Sequence, residues 1–143
     1  MVEARDRGSV LMLVPAAVLV LVILGSIAVD SAVGFLGQRE LENFAASASA
    51  SAASAGLDPG AFYTDHRIVV DPGKADAIVQ GMRGQIGSGV HDVQLIVTVD
   101  GNQVTVTATG QVDDLFAPVI PGVHHTWNVR ATARSTARQV VNQ

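Results

Sequence analysis

Cysteine is absent from this 143-residue chain, so neither disulfides nor thiolate metal sites can hold it together. Aromatic residues are few, with one Trp, one Tyr and four Phe, which leaves Val, Ile, Leu and Ala to build a thin core. Basic residues are too few for a nucleic-acid partner: the net charge is −4, and that function wants a basic face. The most telling shortage is local. From Val10 to Val29 no side chain carries a charge.

That run is long enough to cross a bilayer, since about 20 residues at roughly 1.5 Å rise cover the ~30 Å hydrocarbon core. Val, Leu and Ile fill most of it, each favouring insertion by roughly 0.3 to 0.6 kcal/mol near the helix centre, and only Ser26 opposes them. Two readings compete. A secretory signal has a basic start, here Arg5 and Arg7, and a small-x-small cut site, here Ser26-Ile27-Ala28. Its apolar stretch normally stops at about 15 residues, so a permanent anchor is the preferred reading. Arg5 and Arg7 flank one end, while the other meets Asp30 first and a basic residue only at Arg39. The positive-inside rule then leaves the N-terminus in the cytoplasm and exports the remainder. Pro15 removes one backbone donor and is expected to kink the first turns. Asp30 marks the water boundary or pairs with a neighbouring subunit.

From Asp30 to Gly56 there is no proline, and Gly34, Gly37, Leu41, Phe44, Ala48, Ser51 and Ala55 recur at alternating spacings of three and four. These line one stripe of a helix. Mostly small, they suit tight packing against the chain's own sheet or against sister helices. One helix running from the membrane to Ala55 is the simplest account, and a low-complexity Ala/Ser tether over Ala45–Ala55 is the alternative. Gly56 and Asp58-Pro59-Gly60 form a stop signal.

About 110 residues beyond the anchor suffice for one small domain. Arg67–Val70 is a short β-prone run. Asp71-Pro72 reads as an N-cap with proline at the first helical position. Ala75, Ile78, Val79, Met82 and Ile86 then form one apolar helix face, closed by Gly87-Ser88-Gly89. Val93, Leu95, Val97 and Val99 alternate with Asp92, Gln94, Ile96 and Thr98, as Val104, Val106 and Ala108 do with Thr105, Thr107 and Thr109. Taking Asp100-Gly101 as a two-residue loop pairs Val97 with Val104 and Leu95 with Val106. A third strand is expected over about His124 to Arg138. His125, Trp127, Val129, Ala131 and Ala133 make its apolar face, and Thr126, Asn128, Arg130, Thr132, Arg134, Thr136 and Arg138 its polar one. Asp113–Gly122 is a loop carrying Leu115, Phe116, Val119 and Ile120.

The fold expected is α+β: a long N-terminal transmembrane helix continuing outward, then a small antiparallel sheet covered by one amphipathic helix. Its organisation is a basic cytoplasmic N-terminus at 1–9, a transmembrane helix at 10–29, an Ala/Ser-rich helical stalk at 30–56 and an exported α+β domain at 57–143.

No catalytic constellation stands out. His66, His91, His124 and His125 lack metal-ligand spacing, and adjacent His124 and His125 in a strand point to opposite faces. Asp113-Asp114 lacks the alternating oxygen ligands of a calcium loop. Gly81 to Gly87 sits inside the amphipathic helix rather than between strand and helix, so it is no phosphate loop, and no GxSxG elbow exists. Interaction candidates remain. Arg130, Arg134 and Arg138 on one strand face suit acidic or anionic partners, or are simply solvated. Phe116, Val119 and Ile120 form a docking knob or fold over the core.

Arg7-Gly8-Ser9, the apolar run with early Pro15, and Ile27-Ala28-Val29-Asp30 carry a resemblance. Leu36-Gly37-Gln38-Arg39-Glu40-Leu41-Glu42-Asn43 with its Ala-rich tail, Leu115-Phe116-Ala117-Pro118 and Ala131-Thr132-Ala133-Arg134 extend it. In this order they resemble the TadE/TadG-like proteins of the Flp (tight adherence) pilus apparatus, in their short actinobacterial form. The resemblance implies a non-enzymatic, pilin-like component without cofactor or small-molecule substrate, whose partners are the lipid bilayer, other machine subunits and copies of itself. Prepilin-type cleavage would fall between Gly8 and Ser9. It would put Leu13 where processed relatives carry glutamate, which favours an uncut, membrane-anchored assembly or priming factor. The alternative function is a tethered or secreted module that holds an anionic ligand on its arginine face.

Overall fold

In the computed structural model the chain is described over residues 6–65, 67–116 and 126–138, with side chains of the first helix from Leu13 onward. One helix, α1 (Asp6–Ala55), runs unbroken through Pro15 and through the Ala/Ser tract, 50 residues in all and about 75 Å at the standard rise. The tether alternative for Ala45–Ala55 is thereby set aside. Beyond it come α2 (Pro59–Asp65), α3 (Pro72–Gly81), a 3₁₀ turn (Arg83–Gln85), and strands β1 (His91–Asp100), β2 (Gln103–Asp113) and β3 (Thr126–Thr136). The strands form one antiparallel sheet in the order β1-β2-β3.

α1 itself covers the sheet. Leu41, Phe44, Ala45, Ala48, Ala52 and Ala53 are buried together with Val104, Val106, Ala108, Val112, Val129 and Ala131. The amphipathic helix α3, expected to be the cover, flanks this core through Ala75 and Val79 near β1. Residues 34–56 are therefore one wall of the head. Small side chains allow this: alanines on α1 meet Ala108 and Ala131 on the sheet, so backbones approach closely and little volume is left to fill. Buried Ser49 has its hydroxyl satisfied, at 3.0 Å from the carbonyl of Ala46 and 2.9 Å from Ser135 Oγ.

The stripe rotates as it ascends. Gly34, Gly37, Leu41, Phe44 and Ala48 are buried, but Ser51 is only partly covered and Ala55 is exposed, while Ser49, Ala52, Ala53 and Gly56 are buried instead. Alternating threes and fours average 3.5 residues per turn, whereas a straight helix makes about 3.6 and drifts by ~20° per heptad. Over three heptads the strict stripe leaves the sheet.

Three local expectations need correction. The hairpin loop is Gly101-Asn102, so Val97 pairs with Val106 and Val99 with Val104. Gly101 takes φ 59, at the first central position, where a type II′ turn demands it. Because the slip is two residues, every valine keeps its face. α3 stops at Gly81 rather than Ile86. Met82 N–H reaches the carbonyls of both Ile78 and Val79 at 3.1 Å, and glycines 81 and 84 make a tight 3₁₀ turn cheaper than more α-helix. β3 runs from Thr126 to Thr136, so Arg138 lies beyond the strand. The short helix α2 was not anticipated. Asp58 accepts the Gly60 N–H at 2.9 Å with Pro59 at the first helical position, repeating the start of α3, where Asp71 accepts the Lys74 N–H at 2.9 Å.

Candidate functional site

From Leu13 to Val29 the large aliphatic side chains of α1 are exposed among the described residues. Leu13, Val14, Val18 to Leu24 and Ile27 are all exposed, Leu21 to 72%. Among the described residues α1 is the single helix long and apolar enough to cross a membrane. Its hydroxyls are satisfied internally: Ser26 Oγ donates to the Ile23 carbonyl and Ser31 Oγ to the Ile27 carbonyl, each at 2.8 Å. A surface with this composition and no unsatisfied donor suits hydrocarbon.

Where this surface ends, the head begins. Asp30 Oδ1 accepts hydrogen bonds from the backbone N–H groups of Leu115 at 2.9 Å and Phe116 at 3.0 Å. Neither sequence reading of Asp30 describes this role. Between Arg7 and Arg39 it is the sole ionisable residue, and that isolation was the available signal that it needs partners. One turn higher, the Trp127 ring lies over Gly34, close enough that a Cβ there would sit 3.4 Å from it. Trp127 Nε1 donates to Asp114, itself buried. At the next turn Val112 packs so closely on Gly37 that a Cβ would collide with it. Higher still, Gln38 grips the β3 edge: its Oε1 accepts the Arg130 N–H at 3.1 Å and its Nε2 donates to the Arg130 carbonyl at 2.9 Å. On the opposite edge Arg83 donates to the Val93 carbonyl. Each pin occupies edge groups that would otherwise template strand addition by another chain. Nothing in the sequence distinguishes Gln38 or Arg83 from solvated residues.

The remaining candidates are dispersed. Arg130 and Arg134 are exposed on the outer sheet face, opposite Thr109 and Thr105, and Arg138 follows the strand near Leu57 and Phe62 of the far end. β1 contributes exposed Asp92 and Asp100 to that same face, so it is basic along one edge and acidic along the other. Phe116 is 41% exposed and Leu115 62%. Val119, Ile120, His66, His124 and His125 lie outside the described residues, and Gly8 and Ser9 fall within α1. His91 sits between two carboxylates, with Nε2 3.0 Å from Asp113 Oδ1 and Nδ1 3.3 Å from Asp92 Oδ2. Asp92 reaches it from a bulge between His91 and Gln94, at φ 51. The Asp113 carboxylate, then that of Asp92, hold the imidazole pKa above its usual 6.5. Among the described residues no group of three or more His, Cys, Asp and Glu is placed to hold a metal. No family model, curated protein or solved structure matches the chain.

Proposed function

We propose that this chain is a membrane-anchored, non-enzymatic, pilin-like component of a Flp/Tad-type pilus or related secretion apparatus, acting as a minor subunit or assembly factor. Its N-terminus lies in the cytoplasm and its head outside. The observation that carries the reading is the continuity of α1: one helix offers an apolar surface sized for a bilayer and, without a break, becomes a wall of the folded head. A head so joined cannot reorient freely about its anchor, which suits a part that must present a surface at fixed height. The resemblance to TadE/TadG-like proteins supplies the machine, and the helix supplies the mounting.

The stripe from Gly34 to Ala48 is filled by the chain's own sheet, so contacts to other subunits fall to exposed surfaces of the head and to the lower half of α1. Affinity purification from detergent-solubilised membranes of the source cell tests the proposal, combined with intact mass. The expected result is the membrane-extracted chain with residues 9–30 retained, accompanied by a secretion ATPase, polytopic platform proteins or pilin. Recovery of the head from the medium without residues 1–28 overturns it and leaves the released binding module.

A further inference from the structure

We infer that the head touches the bilayer through its own base, with Trp127, Leu115 and Phe116 seated in the headgroup layer beside the point where α1 leaves the hydrocarbon. This rests on the anchor reading and extends it, since a helix alone would anchor the chain without fixing how the head meets the lipid.

The argument starts from position. Asp30 follows the last residue of the charge-free run, and its carboxylate holds the N–H groups of Leu115 and Phe116 at 2.9 and 3.0 Å. Those two residues are therefore fixed beside the helix at the height where the apolar run ends. Trp127 joins them through Gly34, about 6 Å further along the helix axis. The polar layer on each side of the hydrocarbon is roughly 5–8 Å thick, so all three side chains fall inside it.

Chemistry points the same way. Leu115 is 62% exposed, Phe116 41% and Trp127 48%, so a large share of this apolar surface is bare. Phe35 and Leu36, equally bare, carry the apolar surface of α1 beyond Asp30, and no further charge follows until Arg39. Two of the polar side chains described at this base already have partners. Asp30 takes two backbone donors, and Trp127 spends its indole N–H on buried Asp114. Lowering the base into the headgroup layer thus strips water from carbon without breaking these three hydrogen bonds. Tryptophan is the side chain most at home in this layer. Continuity with the exposed apolar helix selects lipid, rather than a protein, as the occupant.

The lone tryptophan makes the test direct. The full chain is reconstituted into phosphatidylcholine/phosphatidylglycerol vesicles carrying a nitroxide quencher at the headgroup, near the top of the acyl chain, or near its end. Vesicle flotation is measured on the same samples. The inference expects loss of most Trp127 emission with the two shallow quenchers, little with the deep one, and weak quenching by aqueous acrylamide. Leu115→Glu/Phe116→Glu, both at exposed positions, is expected to float as before, to lose shallow quenching and to gain acrylamide quenching. Protein that floats yet shows full acrylamide access and no lipid quenching overturns the inference while sparing the anchor. Protein that fails to float overturns the anchor itself.

Discussion

The two halves of α1 share one secondary structure and opposite surroundings. Below Asp30 the side chains are bulky, Leu, Val and Ile, and every one described is exposed; above Gly34 the sheet-facing ones are mostly Gly, Ala and Ser, and are buried. In a soluble protein large aliphatics are among the residues most often buried, whereas here the half richest in them is the bare one. The inversion shows that apolar content and burial by protein are separate properties. The lower half is apolar for whatever solvent surrounds it, a bilayer on the reading proposed above. The upper half is small because two backbones must come close, and it gains stability from contact rather than from the size of each side chain.

Matched substitutions in the two halves give the sharpest contrast. Leu41→Ala removes a fully buried side chain from the centre of the core and should cost the head about 2–5 kcal/mol. Leu21→Ala, at an exposed position, should leave head stability unchanged. Urea titration in detergent micelles, followed by Trp127 emission, reads both. An equal loss in the two variants would mean that the halves are one cooperative unit and the comparison fails.

Glycine gives the second contrast. A Cβ at Gly25 meets nothing within 4 Å, whereas at Gly37 it collides with Val112. Gly37→Ala should therefore destabilise the head by about 1–3 kcal/mol despite the better helix propensity of alanine. Gly25→Ala should leave the same midpoint in place. The simpler idea that small residues on a helix await a sister helix is answered by this pair: if Gly37→Ala folds normally and only loses partners, the sheet is not what fills the stripe.

The layout was legible wherever one physical signal dominated. Charge exclusion from Val10 to Val29, the Asp71-Pro72 cap and the alternation in β1 to β3 each pointed to the element that forms. Errors arose where two outcomes shared a pattern. Asp100-Gly101 and Gly101-Asn102 are both acceptable hairpin loops, and the valine faces are the same under either, so hydrophobic patterning could not choose. Asp58-Pro59 was read as a stop, though it is chemically the same start signal as Asp71-Pro72. Which helix covers the sheet was hidden for a different reason: alanine packs and alanine solvates equally well, and only the sheet's own Ala108 and Ala131 reveal the close approach. The contacts of Gln38 and Trp127 span many residues of sequence and left no local trace, and the isolation of Asp30 signalled a need for partners without naming them.

At the joint between the halves, Asp30→Ala removes the acceptor for two backbone donors and should cost about 1–2 kcal/mol, since the site is only half-buried. Asp30→Asn keeps an oxygen acceptor and should lose less. Hydrogen exchange at the Leu115 and Phe116 amides checks this locally: both should exchange faster in the alanine variant, while amides near Ile23 do not change. Unaltered exchange at 115 and 116 would show that the loop is held by something else.

The smallest effect separates the halves by charge. No titratable side chain lies between Arg7 and Asp30, so mild changes of pH should act on the head alone. There His91 is the group to follow, with a pKa raised chiefly by Asp113 and then by Asp92. A raised folded-state pKa means that the native protein binds the proton more tightly than the unfolded chain. The resulting stabilisation is complete below the ordinary value of about 6.5 and fades as pH rises through the elevated one. The pair is exposed, so added salt should blunt the effect. Asp113→Asn should bring the NMR-titrated His91 pKa back toward its ordinary value and flatten the dependence of the melting temperature across that window. Flotation with vesicles should stay constant over the same range. A pH-dependent flotation would show that titration of the head alters membrane attachment and would erase the division between the two halves.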